Sequence, residues 1–418
     1  MDRALRVPQA RLVDQTLRDG LVLRTARPAD LEQIANLLTD RGDAADAVDH
    51  RLIVEDPDAG WESCAIVVDG DRVVSTVTLL EETLNLGGVA IPAGQVELVA
   101  TDRQYEGRGL VRALMNWAHE RSEARGHLVQ VMIGIPYFYR QFGYEYAVTQ
   151  PQSRVVVSTP PMPDGYAARP AGLGDVPAMA RLQDAEQRRF DVRMSHSVPC
   201  WRWLDGRVGT NQLIVERNAI PVATGRITPP TDDDIVLGEV AATEPAAAHA
   251  LVSYAQSLNR DRELAVKERP GSVAGDALEP FLAPRSAHAE AYYVRVADLV
   301  ALLDHLRPVL SERLVSGLTA SGLASDGEIV LSTFRSHVRL PYRDGAIVGV
   351  RAGGTMQGPA SVGGAGVAPD MVASLLFGPH GIAGLSERHP DVYPGPQEAL
   401  MQALFPPLSA DLLTLYLP

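Results

Sequence analysis

The sequence predicts a mixed α/β (α+β) chain built in part from a duplicated unit. Three observations carry that prediction. The strings "ARPADLEQIANLL" from Ala26 and "ARPAGLGDVPAMARL" from Ala168 stand 142 residues apart, and "ELVATD" from Glu97 and "EVAATE" from Glu239 repeat that spacing. Within the first unit, short alternating apolar runs are interleaved with stretches of helical periodicity. A chain of 418 residues with 46% apolar side chains exceeds what one core organises, and suits two or three domains.

Residues 1–21 read as an N-terminal extension without an apolar signal core. The first domain is placed at 22–158. It starts with a strand and a helix near 28 to 39, followed by the hairpin "CAIVVDGDRVVSTVTLL", whose Asp-Gly turn separates alternating apolar residues. A further strand at 96 to 101 precedes a helix at 109 to 125, in which Val111, Leu114, Met115 and Ala118 fall on one face. The strand "LVQVMIGI" follows. The second domain, 159–286, repeats this order, but "ATEPAAAHALVSYAQ" puts Glu244 and Pro245 where the first has two glycines. Bulky residues block close backbone approach and proline removes an amide donor, so whatever the first loop binds, the second copy is expected to have lost it. The third domain, 287–418, opens with "AYYVRVADLVALLDHL", continues through "EIVLSTF", "HVRLPY" and "AIVGVRAGG", and ends in helical stretches.

Composition narrows the function classes. Acidic residues outnumber basic ones, 52 to 38, for a formal charge of −14, which disfavours a sequence-independent grip on nucleic acid and suits cationic small partners. Lys267 is the only lysine, a bias toward arginine that carries no functional information. Cys64 and Cys200 are too few for a disulfide framework, and the ten histidines show no ligand spacing, so no metal is expected. No run of about 18 apolar residues occurs; a cytoplasmic protein without a membrane partner is expected.

The chemistry-bearing stretch is "QYEGRGLVRALMNWA", residues 104–118. A helix amino terminus exposes unpaired N–H groups and the positive end of the helix dipole, which suits it to hold phosphate. Gly107 and Gly109 let the preceding turn aim several amides inward, and Arg103, Arg108 and Arg112 add charge. No Gly-Lys-Ser/Thr follows, so this is not a P-loop, and Arg112 stands where a dinucleotide fingerprint needs a small residue. Taken alone, the pattern fits a plain turn as well as a phosphate cradle.

Its context is Gln104-x-x-Gly107-x-Gly109 after a strand, then "YFYRQFGYEY" at 137–146 one helix and one strand later. Together these resemble the acetyl-CoA signature of the GNAT superfamily of N-acyltransferases. Across the chain, an intact GNAT domain, a second one without its cofactor loop and a third domain of sterol-carrier type resemble the Eis (enhanced intracellular survival) family. The resemblance implies acetyl-CoA as co-substrate, acetylation of amines such as aminoglycosides, and a homo-oligomer, a hexamer in that family. It places the thioester on the backbone of Leu98, Val99 and Ala100, and the pyrophosphate on Arg103, Gln104, Gly107, Arg108, Gly109 and Leu110.

For proton transfer, Tyr139 occupies the position of the family's acid tyrosine. A phenol of pKa about 10 stays protonated at neutral pH and can supply the departing thiolate; packing is the other reading of its ring. The acceptor is charged at pH 7, a gap of roughly 3.4 pH units or about 4.6 kcal/mol, so some group must help to deprotonate it. Glu97, on the strand before the turn, is one candidate. The match at Glu239, in a copy without the loop, argues instead that Glu97 is structural. The family resemblance offers the terminal carboxylate, here of Pro418, where better-known members end in an aromatic residue. Asp43, Asp46 and Trp61 are candidate acceptor-binding residues, or else surface and packing side chains. A non-catalytic acyl-CoA sensor or lipid-binding protein is the alternative function.

Overall fold

The structure, a computed structural model, describes residues 14–228, 234–258, 261–287 and 290–414. It divides into two compact units, Met1–Thr83 with Pro92–Phe142, and Leu84–Ile91 with Gly143–Pro418.

The first unit holds strands β1 (Gln15–Thr16), β2 (Val22–Thr25), β3 (Cys64–Asp69), β4 (Arg72–Leu86), β5 (Val89–Thr101) and β6 (Val129–Met132), which neighbour one another in chain order. Helices α1 (Leu31–Arg41), α2 (Ala44–Val54) and α3 (Leu110–Ala124) accompany them. The β3–β4 hairpin forms as its Asp-Gly turn predicts, with Gly70 at φ 57°, a conformation that costs glycine little. Arg24 grips Asp30 through two bonds of 2.7 and 2.8 Å, and Asp30 also accepts from the Arg27 amide, which fixes how the chain enters α1. One face of the sheet is set at Gly94. A Cβ there would meet His127, Leu79 and Ser122, so glycine is required by the close approach of the α3 side.

The second unit contains a six-stranded sheet ordered β8 (Gln152–Val155), β14 (Glu263–Glu268), β13 (Asp234–Ala242), β12 (Ile220–Ile227), β11 (Asn211–Arg217), β9 (Tyr166–Pro170). Helices α4 (Val176–Gln187), α6 (Pro245–Leu258) and α7 (Val273–Leu278) lie against it, and the Ala- and Leu-rich face of α6 fills its core. A third sheet joins β16 (Gly327–Ser332), β17 (His337–Arg343), β18 (Ala346–Ile347), β19 (Arg351–Gly353), β20 (Ala365–Val367) and β21 (Val392–Tyr393). Strand β7 (Glu145–Thr149) pairs with β15 (Ala291–Val296), and the rings of Tyr146 and Tyr293 stack at 4.0 Å. β8, which precedes residue 158, is the edge of the second sheet.

The two repeats share local geometry, but not at the spacing the matched strings suggest. The Arg24–Asp30 pair recurs as Arg169–Asp175, 145 residues on, each followed directly by a helix. The positive-φ bulge at Leu98 recurs at Glu239, 141 residues on, and the strand-end bond Asp102 N to Val74 O recurs as Thr243 N to Val222 O. The second copy is four residues shorter between these landmarks, so no single offset fits both ends. Glu239 therefore corresponds to Leu98, and Gly238 to Glu97. The sequence argument that Glu97 is retained in the second copy, and hence structural, fails.

Among the described residues, no helix is long and apolar enough to cross a membrane.

Candidate active site

β5 positions the site. Its pairing with β6 runs from Ala93 to Gln95 and stops before the bulge at Leu98, whose φ of 53° turns the strand away from its neighbour. The backbone of Leu98, Val99 and Ala100 lies beyond that divergence. After β5, Asp102 accepts from the Gln104 amide and closes a short turn over Arg103–Tyr105. Gly107 and Gly109 follow at φ 73° and 80°, and Gly109 caps α3 in the left-handed conformation. A Cβ at either glycine would meet nothing within 4 Å, so backbone conformation demands glycine here and the space beside the turn is open. That arrangement suits a phosphate group at the start of α3.

The arginines are partly engaged. Arg108 stacks over the Tyr105 ring at 4.7 Å, and Tyr105 is held by Asp69. Arg112 donates to Gln141 Oε1 at 2.7 Å and lies 5.0 Å from the Phe142 ring, which ties the first turn of α3 to the segment that carries Tyr139. Tyr139 sits in the 3-10 turn Phe138–Phe142, only 5% exposed, edge-on to Phe138, with Gly134 so close that any Cβ there would strike its ring. Tyr137, by contrast, is 74% exposed at φ 68°.

Side chains alternate along strands, so Gly94 and Leu79 on the α3 face put Glu97, Gln95, Thr78 and Glu82 on the other. Gln95 Nε2 donates to Glu97 Oε1 at 2.6 Å, as residues on one face should. Burial drives the Glu97 carboxyl up to about 8, with Asp46 and Asp49 of α2 adding repulsion and Gln95 opposing it. Burial and the neighbouring Glu97 likewise push Glu82 up to about 8. Asp43 is the N-cap of α2, accepting from the amides of Ala45 and Asp46, and the Asp46 carboxylate completes the capping box by accepting from the Asp43 amide. Trp61 lies edge-on to buried His50 at 6.4 Å. Sequence reading missed Glu82, Gln95, Asp49 and His50; the signal for Glu82 was its place in register with the inward residues of β4.

Residues 415–418, with Pro418, lie outside the described residues. The strand before them, β22 (Ala410–Leu412), runs parallel to β10 (Val192–Met194) in the second unit. Asp411, 3% exposed, binds Arg269 through both carboxylate oxygens and accepts from Gln187 at 2.9 Å. The second copy's counterpart of the glycine turn is closed. Glu244 receives the Tyr166 hydroxyl at 2.8 Å and pairs with Arg217, and Pro245 begins α6. At its bulge, Glu239 is held near 2, against the cost of burial, by Arg226 and His196.

Residues 23–147 match the acetyltransferase (GNAT) domain family. The chain carries a GNAT acetyltransferase domain. It is by that domain an acyltransferase. No curated protein matches the sequence. Among solved structures, a GCN5-related N-acetyltransferase from Anabaena variabilis superposes with TM-score 0.68 at 15% identity, over 94% of this chain and 99% of that one. A second, from Kribbella flavida, gives 0.65 at 18%, over 94% and 99%. Eis1 from Mycobacterium abscessus gives 0.59 at 16%, over 93% and 97%. These similarities extend the shared fold over nearly the whole chain. Among the described residues, no three His, Cys, Asp or Glu side chains group as metal ligands.

Proposed function

We propose that the protein is an acetyl-CoA-dependent N-acetyltransferase of the Eis type, acting on an amine of a cationic small molecule such as an aminoglycoside, a polyamine or a lysine side chain. Its parts are a catalytic GNAT domain at 22–158, a degenerate GNAT-like domain at 159–286 and a sterol-carrier-like domain at 287–418, in a cytoplasmic homo-oligomer. The observation that carries this reading is the open glycine turn at the start of α3, next to the bulged, diverging end of β5. Gly107, Gly109 and Leu110 offer their amides to the pyrophosphate, with Arg103, Gln104 and Arg108 around them. The second copy, whose turn is filled by Glu244 and Pro245, binds no cofactor.

Transfer is direct, within a ternary complex. The neutral amine attacks the thioester carbonyl carbon, a C–N bond forms, and the backbone at Leu98 to Ala100 holds the carbonyl oxygen as it gains charge. The C–S bond then breaks, Tyr139 gives its proton to the leaving thiolate, and the proton that the acylated nitrogen loses restores the phenol. Glu97, ionising near 8 instead of in the usual carboxylate range, is the better matched base for the incoming ammonium. The carboxylate of Pro418 adds fixed negative charge beside the acceptor. Asp46 and Trp61 flank the acceptor side, and Asp43 shapes it by capping α2. The test is thiol release from acetyl-CoA with a panel of amines: aminoglycosides, polyamines and lysine peptides. No release with any of them refutes the reading.

A further inference from the structure

The second copy has lost its glycine turn, yet it lines up a nucleophile, a base and a carboxylate. Cys200 Sγ lies 3.2 Å from His196 Nδ1, and His196 Nε2 lies 2.9 Å from Glu239 Oε1. Glu239 stands at the bulge, φ 52°, where the first copy has Leu98. Its carboxyl, held near 2, is ionised at neutral pH and can only accept. A neutral imidazole therefore carries its hydrogen on Nε2 and leaves Nδ1 to accept from the thiol. A nucleophile bonded to a base that a third group orients is the arrangement that covalent chemistry uses. Two further features favour a thiolate. Cys200 is the third residue of α5 (Val198–Gly206), capped by Ser197, and a helix start stabilises negative charge. Arg226 offsets the Glu239 charge across 2.6 Å, so passing the thiol proton to Nδ1 leaves the net charge of the cluster at zero.

Cys64 supplies a comparison within the same chain. It too lies beside a histidine, with His50 Nε2 at 3.4 Å, but it opens a strand instead of a helix. Among the described residues, His50 Nδ1 has no hydrogen-bond partner to orient the ring. Burial pushes the Cys64 thiol up to about 11 and His50 down to about 4, so that pair stays neutral. Both thiols are free and buried. Cys200 is 1% exposed, but Val198, two residues before it, is 69% exposed, so the thiol lies just under the surface and only a small reagent reaches it.

We propose that Cys200 is a modification site, a thiol that a small peroxide oxidises to the sulfenic acid with His196 as its base. Sγ gives its proton to Nδ1 and attacks one peroxide oxygen. An S–O bond forms, the O–O bond breaks, and the departing hydroxide takes the proton from Nδ1 and leaves as water. Sulfur loses an electron pair and the peroxide gains it.

The experiment treats the full chain with hydrogen peroxide at pH 6, 7 and 8, traps sulfenic acid with dimedone, and reads the adduct on each cysteine by peptide mass spectrometry. In wild type, Cys200 is expected to react at least about tenfold faster than Cys64. Its rate stays nearly flat with pH, because the proton moves within the cluster and not to solvent. The charged groups that face His196 are Glu239 and, behind it, Arg226, and Glu239 is ionised throughout this range. A thiol that ionises to solvent instead speeds up about tenfold per pH unit below its pKa. His196→Gln removes the base, and Glu239→Gln lets an amide N–H donate to Nε2, which moves the imidazole hydrogen to Nδ1 and takes away the thiol's acceptor. Each slows Cys200 by about tenfold or more. Melting temperature is recorded for both, since Glu239→Gln also strands Arg226, and the comparison of Cys200 with Cys64 needs no variant. Equal rates for the two cysteines in wild type, a Cys200 rate that climbs tenfold per pH unit, or a rate unchanged in folded His196→Gln overturns the proposal.

Discussion

Replacing Glu82 with glutamine is expected to stabilise the protein at alkaline pH and to change little in acid. In the folded chain Glu82 and Glu97 ionise near 8, and in the unfolded chain near the ordinary 4.5. Below about 4.5 both states hold these protons. Between 4.5 and 8 the unfolded chain releases them while the folded chain keeps them, so stability falls as pH rises, by up to about 1.4 kcal/mol per pH unit for each group. Across that window the ceiling is about 5 kcal/mol per group. Each carboxyl repels the other, and Asp46 and Asp49 repel Glu97 from α2, so removing Glu82 also lets Glu97 ionise more easily. Water penetration reduces the ceiling, and a gain of about 2 kcal/mol at pH 8.5 is the working figure. That corresponds to a rise of about 3–8 °C in melting temperature. The assay is thermal unfolding of wild type, Glu82→Gln and Glu97→Gln at pH 4, 6 and 8.5. Carboxylates held low elsewhere, such as Glu239 and Asp175, act in the opposite direction, so the quantity to read is the difference between variant and wild type. A difference that stays constant with pH would refute the account of this face.

Tyr139→Phe is expected to lower turnover by about 10² with cofactor affinity nearly unchanged, the range for loss of a positioned acid; steady-state kinetics with coenzyme A titration checks it. Gly109→Val forces a β-branched residue to φ 80°, at a cost of about 1–2 kcal/mol in stability, and weakens acetyl-CoA binding at least tenfold by calorimetry. Asp411→Ala strands buried Arg269 and costs about 3–5 kcal/mol, while the double change Asp411→Leu with Arg269→Met recovers most of the melting temperature. A short extension after Pro418 reduces transfer at least tenfold with the melting temperature held, if the terminal carboxylate stands by the acceptor as proposed.

What could be seen in the sequence follows from which residues have few physical alternatives. Gly107 and Gly109 were legible because a left-handed turn before a helix leaves little choice but glycine. The β3–β4 hairpin was legible for the same reason, but its reading stopped at Leu80. Two consecutive glutamates look like the end of a strand, yet β4 continues to Leu86, with Glu81 exposed and Glu82 turned inward. Burial of a carboxyl is a tertiary event, and the only local sign of it is that Glu82 alternates in step with Leu84 and Leu86. Asp43 looked like an acceptor ligand because it is acidic; its spacing to Asp46 is also that of a capping box, and the cap is what the fold uses. The repeat was visible, but its register was not, since short strings fix an offset only where the connecting loops are equal in length.

The anchoring of β22 beside β10 gives that strand a role in timing. Domains assemble from the amino terminus as synthesis proceeds, and the first unit is complete in sequence by Phe142. Arg269, by contrast, is buried in a core whose counter-charge, Asp411, is made 142 residues later. Until β22 and Leu413 have been made, a guanidinium sits in the second unit without its carboxylate, and Met194 without the Leu413 amide that later binds its carbonyl. β22 acts as a latch made after the rest of its unit, so a chain that stops before Asp411 is left with an open, charged seam for quality control to find.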